Sequence, residues 1–230
     1  PWQCARCVMS NTRPYRLLRR ALAPGAATAV LNSIGRFPRL TRQTGLRGML
    51  GDWEDRVSFL LQSLQKVDHI TTASRLLRTL LIRYGVSQEK ITYSTYGLDT
   101  SWAKGYETKK PSPQLRIGFI GQILPIKGPD ILIKALCHLA PDLPLQLKIY
   151  GDLAKTPRYG EELCELAAGD PRIDFLGTFE NSKMGQVLSE IDVLAVPSIW
   201  YDFPLVIPSA FATKTPALAT NLPGMNELVR

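Results

Sequence analysis

Apolar runs and amphipathic stretches alternate regularly through the second half of the chain. The apolar runs have the length of strands, and they predict β-strands at 115–120, 145–150, 173–176, 191–196 and 216–220. Apolar residues at helical spacing between them predict helices at 129–139, 159–168, 182–190, 204–213 and from 224 onward. Strands that are apolar throughout and alternate with helices form parallel sheets covered on both faces, so we predict an α/β domain here.

A weaker pattern of the same kind occupies part of the first half. Residues 56–67 carry apolar side chains at helical spacing, which predicts an amphipathic helix. Short strands are predicted at 69–73 and 90–94. Ser74 is a suitable N-cap for the helix between them, and Gly85 stands where a helix end favours a left-handed residue. We therefore expect a second α/β region before the parallel sheet.

A polar, proline-rich stretch at 109–113 predicts a linker between two domains. Residues 1–110 would be the C-terminal part of an N-terminal α/β domain, and residues 111–230 would be a Rossmann-like domain. Within the first of these, residues 26–33 fit either a short buried strand or the start of a helix. The chain begins without Met and ends inside a predicted helix, so we expect it to be a piece of a longer protein.

The basic character of the chain lies in its first half. Residues 1–112 contain 18 Lys and Arg against 7 Asp and Glu, whereas residues 113–230 contain 10 against 13. Such a bias is typical of a solvated basic face, or of attraction to an anionic lipid surface or a lipid-linked acceptor. Nucleic acid is disfavoured, because no aromatic stacking motif or zinc-finger pattern accompanies the charge. No apolar run of 18 residues predicts a transmembrane helix. We expect a cytoplasmic protein, which lipid attraction would place at the inner face of the membrane.

The loop after the first strand of the predicted sheet has the composition of a phosphate site. Gly121 allows a close backbone approach, Lys127 supplies a positive charge, and Gly128 opens the next helix. The segment is neither a dinucleotide-binding Gly-x-Gly-x-x-Gly nor a Walker loop. A lysine in such a loop is often a solvated surface charge, so the loop indicates phosphate binding only together with a second element.

The second element is the segment 197–209. Pro204 suits the first turn of a helix, and the amides of Leu205 and Val206 would then point away from the helix start. Ligands bind beyond the carboxyl ends of parallel strands, so this segment and the Lys127 loop should converge on one cleft. Asp202 has the simpler alternative of capping the helix.

Together these segments resemble the retaining GT-B glycosyltransferases of the family-4 type. The matching stretches are, in order, GFIGQILPIKGPDILIKAL, LKIYGD, IDFLGTFE and IDVLAVPSIWYDFPLVIPSAFATKTPALATNLPGMNELV. The first half is similar, less closely, to the end of the N-terminal domain of these enzymes. Its matching stretches are VDHITTASRLLRTLLIRYGVSQEKITYSTYGLD and a cysteine-bearing start, PWQCARC. The resemblance implies a GT-B fold that binds a nucleotide-diphosphate sugar and uses no metal ion or other cofactor.

The resemblance also implies roles for individual residues. The donor diphosphate would lie against Lys127, the Gly121-Gln122 loop and the amides that follow Pro204, with Leu205 and Val206 donating. The family usually carries two glutamates around this helix, one near the transferred sugar and one holding the ribose hydroxyls. The first glutamate falls at Tyr201 by strict count, or at Asp202 if one residue is deleted. We favour Asp202, because a carboxylate accepts hydrogen bonds from sugar hydroxyls.

This chain departs from the family pattern at two positions of the expected site. Ser209 stands in place of the ribose-binding glutamate and would hydrogen-bond a ribose hydroxyl without a charge. Gln122 stands where the family often has arginine. Both changes remove a charge that the resemblance would assign to the donor site. They leave the expected fold intact and predict donor contacts that differ from those of the family.

The resemblance implies transfer of a sugar with retention of anomeric configuration, in polysaccharide or glycolipid synthesis. Lys127 and the helix-start amides would stabilise the departing diphosphate, with Asp202 beside the sugar. The acceptor, a saccharide or a lipid-linked molecule, would bind mainly to parts of the enzyme before this chain, so we expect the 230 residues by themselves to be inactive. Two alternatives remain: a non-catalytic nucleotide-sugar binding or regulatory module, and another doubly wound enzyme such as an epimerase or phosphorylase relative.

The four cysteines are too few for a disulfide scaffold. Cys137 and Cys164 lie in helical patterns, and we expect them to be buried as small apolar residues. Cys4 and Cys7 have three alternatives: unpaired thiols, a disulfide, or half of a metal site. A zinc site needs about four ligands and no second pair follows, so unpaired thiols are favoured.

Overall fold

The computed structural model describes residues 56–200 and 203–229, together with Ala26, Ala29 and Ser33. These three positions are helical and exposed, which agrees with the helical alternative for residues 26–33. Cys4 and Cys7 lie outside the described residues. The chain forms two compact units, one of Pro1–His69 with Tyr84–Lys90 and one of Ile70–Arg83 with Ile91–Arg230. The domain boundary predicted at 110/111 stays a prediction.

The described part of the first unit is built around helix α1, Arg56–Gln65, which confirms the predicted amphipathic helix. The ammonium group of Lys90 donates to the carbonyl oxygens of Gln65 and Val67, at 3.1 Å each. The side-chain amide of Gln65 donates to the carbonyl of Gly85 at 2.7 Å. These bonds join the end of α1 to the segment before residue 91.

The second unit begins with a small parallel β-α-β element. Strand β1, Ile70–Thr72, pairs in parallel with β2, Ile91–Tyr93, and helix α2, Arg75–Arg83, connects them. The Ser74 hydroxyl accepts a hydrogen bond from the amide of Leu77 at 3.1 Å, as its predicted capping role requires. Gly85, just beyond α2, has φ +87°, the left-handed conformation predicted for it.

The five predicted strands of the second half form one parallel sheet. Its strands are β3 (Leu115–Ile120), β4 (Leu145–Tyr150), β5 (Ile173–Gly177), β6 (Val193–Val196) and β7 (Ala217–Ala219), in the spatial order β5-β4-β3-β6-β7. The connecting helices are α3 (Pro129–Cys137), α4 (Pro157–Ala167), α5 (Met184–Ser189) and α6 (Val206–Ala212). The predicted α/β fold is confirmed, with element ends that differ by a few residues. The helix predicted from 224 onward was wrong, because the described residues form only a 3₁₀ turn there, Met225–Glu227.

Helices cover the sheet on both faces, because alternate residues of a strand point to opposite sides. On β4, Leu147 and Ile149 pack in one core cluster with residues of α3 and α4. The next residue, Tyr150, packs in a second cluster with residues of α5 and α6. A parallel sheet covered on both faces explains why its strands are largely apolar, with polar exceptions such as Gln146 and Lys148 on β4.

The segment that precedes β3, predicted as a linker, is anchored to the sheet. The ammonium group of Lys109 donates to the carbonyl of Leu188 and to the hydroxyl of Thr215. The pKa of Lys109 is lowered, and the largest cause is burial, which disfavours the charged form of its ammonium group. Arg116, at the start of β3, forms a 2.7 Å ion pair with Asp192. These contacts hold the amino end of the sheet together.

Three expectations about the helices were wrong in detail. Cys137 and Cys164 are exposed, because the buried stripes of their helices run through Ile133 and Leu136 and through Leu163 and Ala167. Each cysteine directly follows a buried leucine, and one step along a helix turns the side chain by about 100°, away from the buried stripe. The helix predicted from 182 begins at Met184, because Asn181–Lys183 forms a 3₁₀ turn. Pro204 precedes α6 by two residues and is not in its first turn.

Candidate functional site

The strand order places a crevice at the middle of the sheet. The chain runs outward from β3 through β4 to β5, and then crosses to β6 on the other side of β3. The loops after β3 and β6 therefore leave the sheet in opposite directions and separate at its carboxyl edge. Such a switch point is where open α/β sheets bind their ligands.

The loop after β3 is fixed by a close contact with the end of β6. Pro125–Lys127 forms a 3₁₀ turn, and Gly128 follows in the left-handed conformation at φ +70°. A Cβ at Gly128 would lie 2.4 Å from the carbonyl oxygen of Pro197. The amide of Ile199 donates to the carbonyl of Ile126 at 2.9 Å. These contacts place Lys127 beside the segment that leaves β6.

The segment after β6 leads into helix α6. Leu205 is the N-cap residue of this helix, and its own side chain makes no capping hydrogen bond. Phe203 is buried and Leu205 is half exposed. Tyr201 and Asp202 lie outside the described residues, so their predicted roles near the sugar stay predictions.

The two loops enclose a cavity of 540 Å³. Its walls combine strand ends with residues of both loops: Tyr96, Phe119, Ile120, Gly121, Gln122, Lys127, Ala195, Val196, Ser198, Phe203, Pro204, Leu205 and Val206. Lys127 and the Leu205–Val206 peptide thus share one cavity, which is the condition on which the phosphate prediction depends. Six of the predicted binding residues line it, and their contacts with a ligand stay predictions.

Ser209 is the described binding residue that does not line this cavity. Its side chain is buried, and its hydroxyl donates to the carbonyl of Leu205 at 2.9 Å. The hydroxyl proton is therefore used within α6. The predicted hydrogen bond to a ribose hydroxyl would need this serine to rotate, or to act as an acceptor only.

Three aromatic residues line the cavity, Tyr96, Phe119 and Phe203, and none of them was predicted as a site residue. Tyr96 and Phe203 meet edge to face, with ring centroids 5.6 Å apart and an interplanar angle of 70°. Tyr96 follows β2 by three residues, so the rule that ligands bind beyond strand carboxyl ends offered a signal for it. No local pattern pointed from Tyr96 to Phe203, which is more than a hundred residues away.

Two further findings concern the described residues only. No group of three or more His, Cys, Asp and Glu side chains is placed to hold a metal ion in them. None of their helices combines the length and the apolar character needed to cross a bilayer. The expectation of a donor site without metal stays a prediction.

Solved glycosyltransferase structures share this fold. Anabaena HepE in complex with UDP-glucose has a TM-score of 0.65 at 21% identity, covering 77% of this chain and 52% of that one. Sucrose-phosphate synthase from Thermosynechococcus elongatus has a TM-score of 0.63 at 22% identity, covering 76% and 46%. At these identities the likeness shows the fold, and it confirms the predicted GT-B-type architecture.

Similar sequences carry glycosyltransferase names. The D-inositol 3-phosphate glycosyltransferase of Stackebrandtia nassauensis is 29% identical over 177 residues, 70% of this chain and 40% of that protein. The protein of the same name from Corynebacterium glutamicum (strain R) is 34% identical over 115 residues, 47% and 28%. The chain spans less than half the length of these relatives. The profile of the family described as Glycosyl transferases group 1 matches residues 114–230, and the chain belongs to this family of glycosyltransferases.

Proposed function

We propose that the full-length protein transfers a sugar from a nucleoside-diphosphate sugar to an acceptor, with retention of anomeric configuration. The observation that carries the proposal is the cavity at the switch point of the sheet, where Lys127 faces the same space as Leu205 and Val206. HepE, which shares the fold, was solved with UDP-glucose bound. A positive side chain and peptide amides in one concave site suit a diphosphate.

The chemistry of the reaction explains why such a cavity would assist it. When the bond between the anomeric carbon and the diphosphate breaks, positive charge grows on the sugar and negative charge on the departing diphosphate. Fixed donors and a cation near the diphosphate stabilise that charge without rearranging during the reaction. Lys127 and the amides of Leu205 and Val206 would serve this purpose. Asp202 would lie beside the sugar and accept hydrogen bonds from its hydroxyls.

The acceptor side of the proposal rests on the basic first half of the chain. Its excess of lysine and arginine suits an acceptor that is anionic or linked to an anionic lipid surface. We therefore propose a cytoplasmic enzyme of polysaccharide or glycolipid synthesis that associates with the inner face of the membrane. No metal ion is needed for this scheme, because Lys127 and the amides carry the charge stabilisation.

Binding measurements with paired lysine variants test the donor site. The full-length protein is titrated calorimetrically with UDP, GDP and ADP and with their glucose conjugates. For the ligand that binds, Lys127→Met should weaken binding by roughly tenfold to a hundredfold, the loss of one charge-assisted hydrogen bond. Lys134→Met is the matched control, because Lys134 is an exposed lysine of α3 that pairs with Asp130 outside the cavity.

The control variant should bind like the wild type, since an exposed ion pair contributes little. Equal affinities for the two variants would show that the diphosphate does not lie against Lys127. Failure of the wild-type protein to bind any of the six ligands would refute the donor site itself.

One observation favours a second candidate, a non-catalytic nucleotide-sugar binding module. Ser209 occupies the position at which the resemblance expects a ribose-binding glutamate, and its hydroxyl is bonded to its own helix. The same protein preparations separate the two candidates. An enzyme releases nucleoside diphosphate when a donor and a suitable acceptor are present, whereas a binding module retains the intact donor.

A further inference from the structure

Tyr96 occupies an unusual position among the residues of the cavity. The other lining residues belong to the sheet, to the loops after β3 and β6 or to the first residue of α6, whereas Tyr96 belongs to the segment that follows β2. It brings an aromatic ring into the donor cavity from outside the five-stranded sheet. Tyr96 is 60% exposed as a residue, so much of its side chain remains available to a ligand.

The inner side of this ring is supported by Phe203. The two rings pack edge to face at 5.6 Å, and Phe203 is 9% exposed against 60% for Tyr96. Phe203 is therefore the buried partner of this pair, and Tyr96 is the solvent-exposed partner. Edge-to-face aromatic pairs hold both rings in a defined orientation.

The backbone after Tyr96 is also held in place. The carboxylate of Asp99 accepts a hydrogen bond from the amide of Ser101 at 2.9 Å. The following residue, Trp102, packs against the core cluster shared by α5 and α6. Because the chain is fixed five residues after Tyr96, the ring is confined near the cavity rather than free to leave it.

We propose that Tyr96 binds a ring of the donor, with its aromatic face against either the nucleobase or the apolar C–H face of the transferred sugar. The inference rests on the proposed function, because it takes the ligand of the cavity to be a nucleoside-diphosphate sugar. Such a ligand carries a flat or partly apolar ring on each side of its diphosphate. An exposed aromatic face beside a cationic site complements that arrangement.

The test separates the ring from the hydroxyl group, and the sugar from the base. Tyr96→Ala removes the whole side chain, and Tyr96→Phe retains the ring. Tyr84→Ala is the matched control, because Tyr84 is similarly exposed at 57% and does not line the cavity. Each full-length variant is titrated with UDP, GDP and ADP and with their glucose conjugates, and its thermal midpoint is recorded.

For a ligand that the wild type binds, Tyr96→Ala should weaken binding roughly fivefold, the loss of one aromatic contact. Tyr96→Phe and Tyr84→Ala should bind like the wild type. A loss seen only with the sugar conjugate assigns the contact to the sugar, and an equal loss with the free diphosphate assigns it to the base.

Wild-type affinity in Tyr96→Ala for every ligand would overturn the inference and leave the proposed donor site standing. A loss in Tyr96→Phe as large as that in Tyr96→Ala would also overturn it, because the hydroxyl and not the ring would carry the contact. Absence of binding by the wild type would refute the proposed function and the inference together.

Discussion

Replacement of Gly128 by alanine would test the contact that joins the two loops of the cavity. Gly128 has φ +70°, and an added Cβ would lie 2.4 Å from the carbonyl oxygen of Pro197, well under the 3.0 Å that real Cβ atoms keep. Gly177 is the matched control. It has nearly the same φ, +69°, at the end of β5, and an added Cβ there meets no atom within 4 Å.

The difference between the two variants isolates the clash. The left-handed conformation costs an alanine about 1 kcal/mol at either site. At Gly128 the Pro197 carbonyl must also move by several tenths of an ångström. That movement strains the loop and breaks the hydrogen bond from the Ile199 amide to Ile126, a further cost of about 2 kcal/mol. We expect the free energy of unfolding to fall by about 3 kcal/mol in Gly128→Ala and about 1 kcal/mol in Gly177→Ala.

Thermal unfolding of the full-length protein measures this difference. For the cooperative unfolding of a domain of roughly 150–250 residues, the midpoint should fall by roughly 6–12 °C in Gly128→Ala and by roughly 2–4 °C in Gly177→Ala. Midpoints of the two variants that agree within about 2 °C would refute the reasoning, because the close approach of the two loops would then not exist. Nucleotide binding should weaken in Gly128→Ala as well, since the movement displaces the Lys127 loop.

Two further predictions concern contacts outside the cavity. The carboxylate of Glu227 accepts hydrogen bonds from the first two amides of α2, at 2.7 and 3.0 Å. Glu227→Ala should therefore lower the free energy of unfolding in urea by about 1 kcal/mol, whereas the exposed control Glu161→Ala should leave it unchanged. The hydrogen bond to Arg116 lowers the pKa of Asp192. This pair stabilises the fold above the unfolded-state pKa of about 4, and the contribution is lost as the pH falls through the folded pKa. Acid unfolding should therefore begin at higher pH in Asp192→Asn than in the wild type, and coincident acid transitions would contradict this.

Local pattern was sufficient to predict the strands, the helices and the direction of the sheet. A strand covered on both faces is rich in apolar residues, so β3, β4, β5, β6 and β7 are visible in the sequence one at a time. The parallel direction followed from the helices between them. The convergence of the Lys127 loop with the Leu205 segment was also predictable, because all carboxyl ends of a parallel sheet lie at one edge.

Burial of particular side chains was predicted less well, because it depends on the neighbours that a residue meets. Cys137 and Cys164 share the helical pattern of their apolar neighbours, yet they stand beside the buried stripe and not in it. Ser209 is polar, yet it is buried and bonded to the carbonyl of Leu205. Neighbouring residues of a helix are rotated by about 100° around its axis, and this rotation is enough to separate a buried position from an exposed one.

By itself the sequence determined the class of the fold, the succession of its elements and the loops that form the cavity. Only the tertiary structure decided that β6 lies beside β3, that Tyr96 packs on Phe203, and that Glu227 caps a helix more than 150 residues before it along the chain. The physical reason is that the periodicity of apolar residues shows which side of a helix or strand faces the core. This periodicity depends only on residues that are close together along the chain. Contacts between distant segments depend on how those cores pack together, and no short stretch of sequence records that.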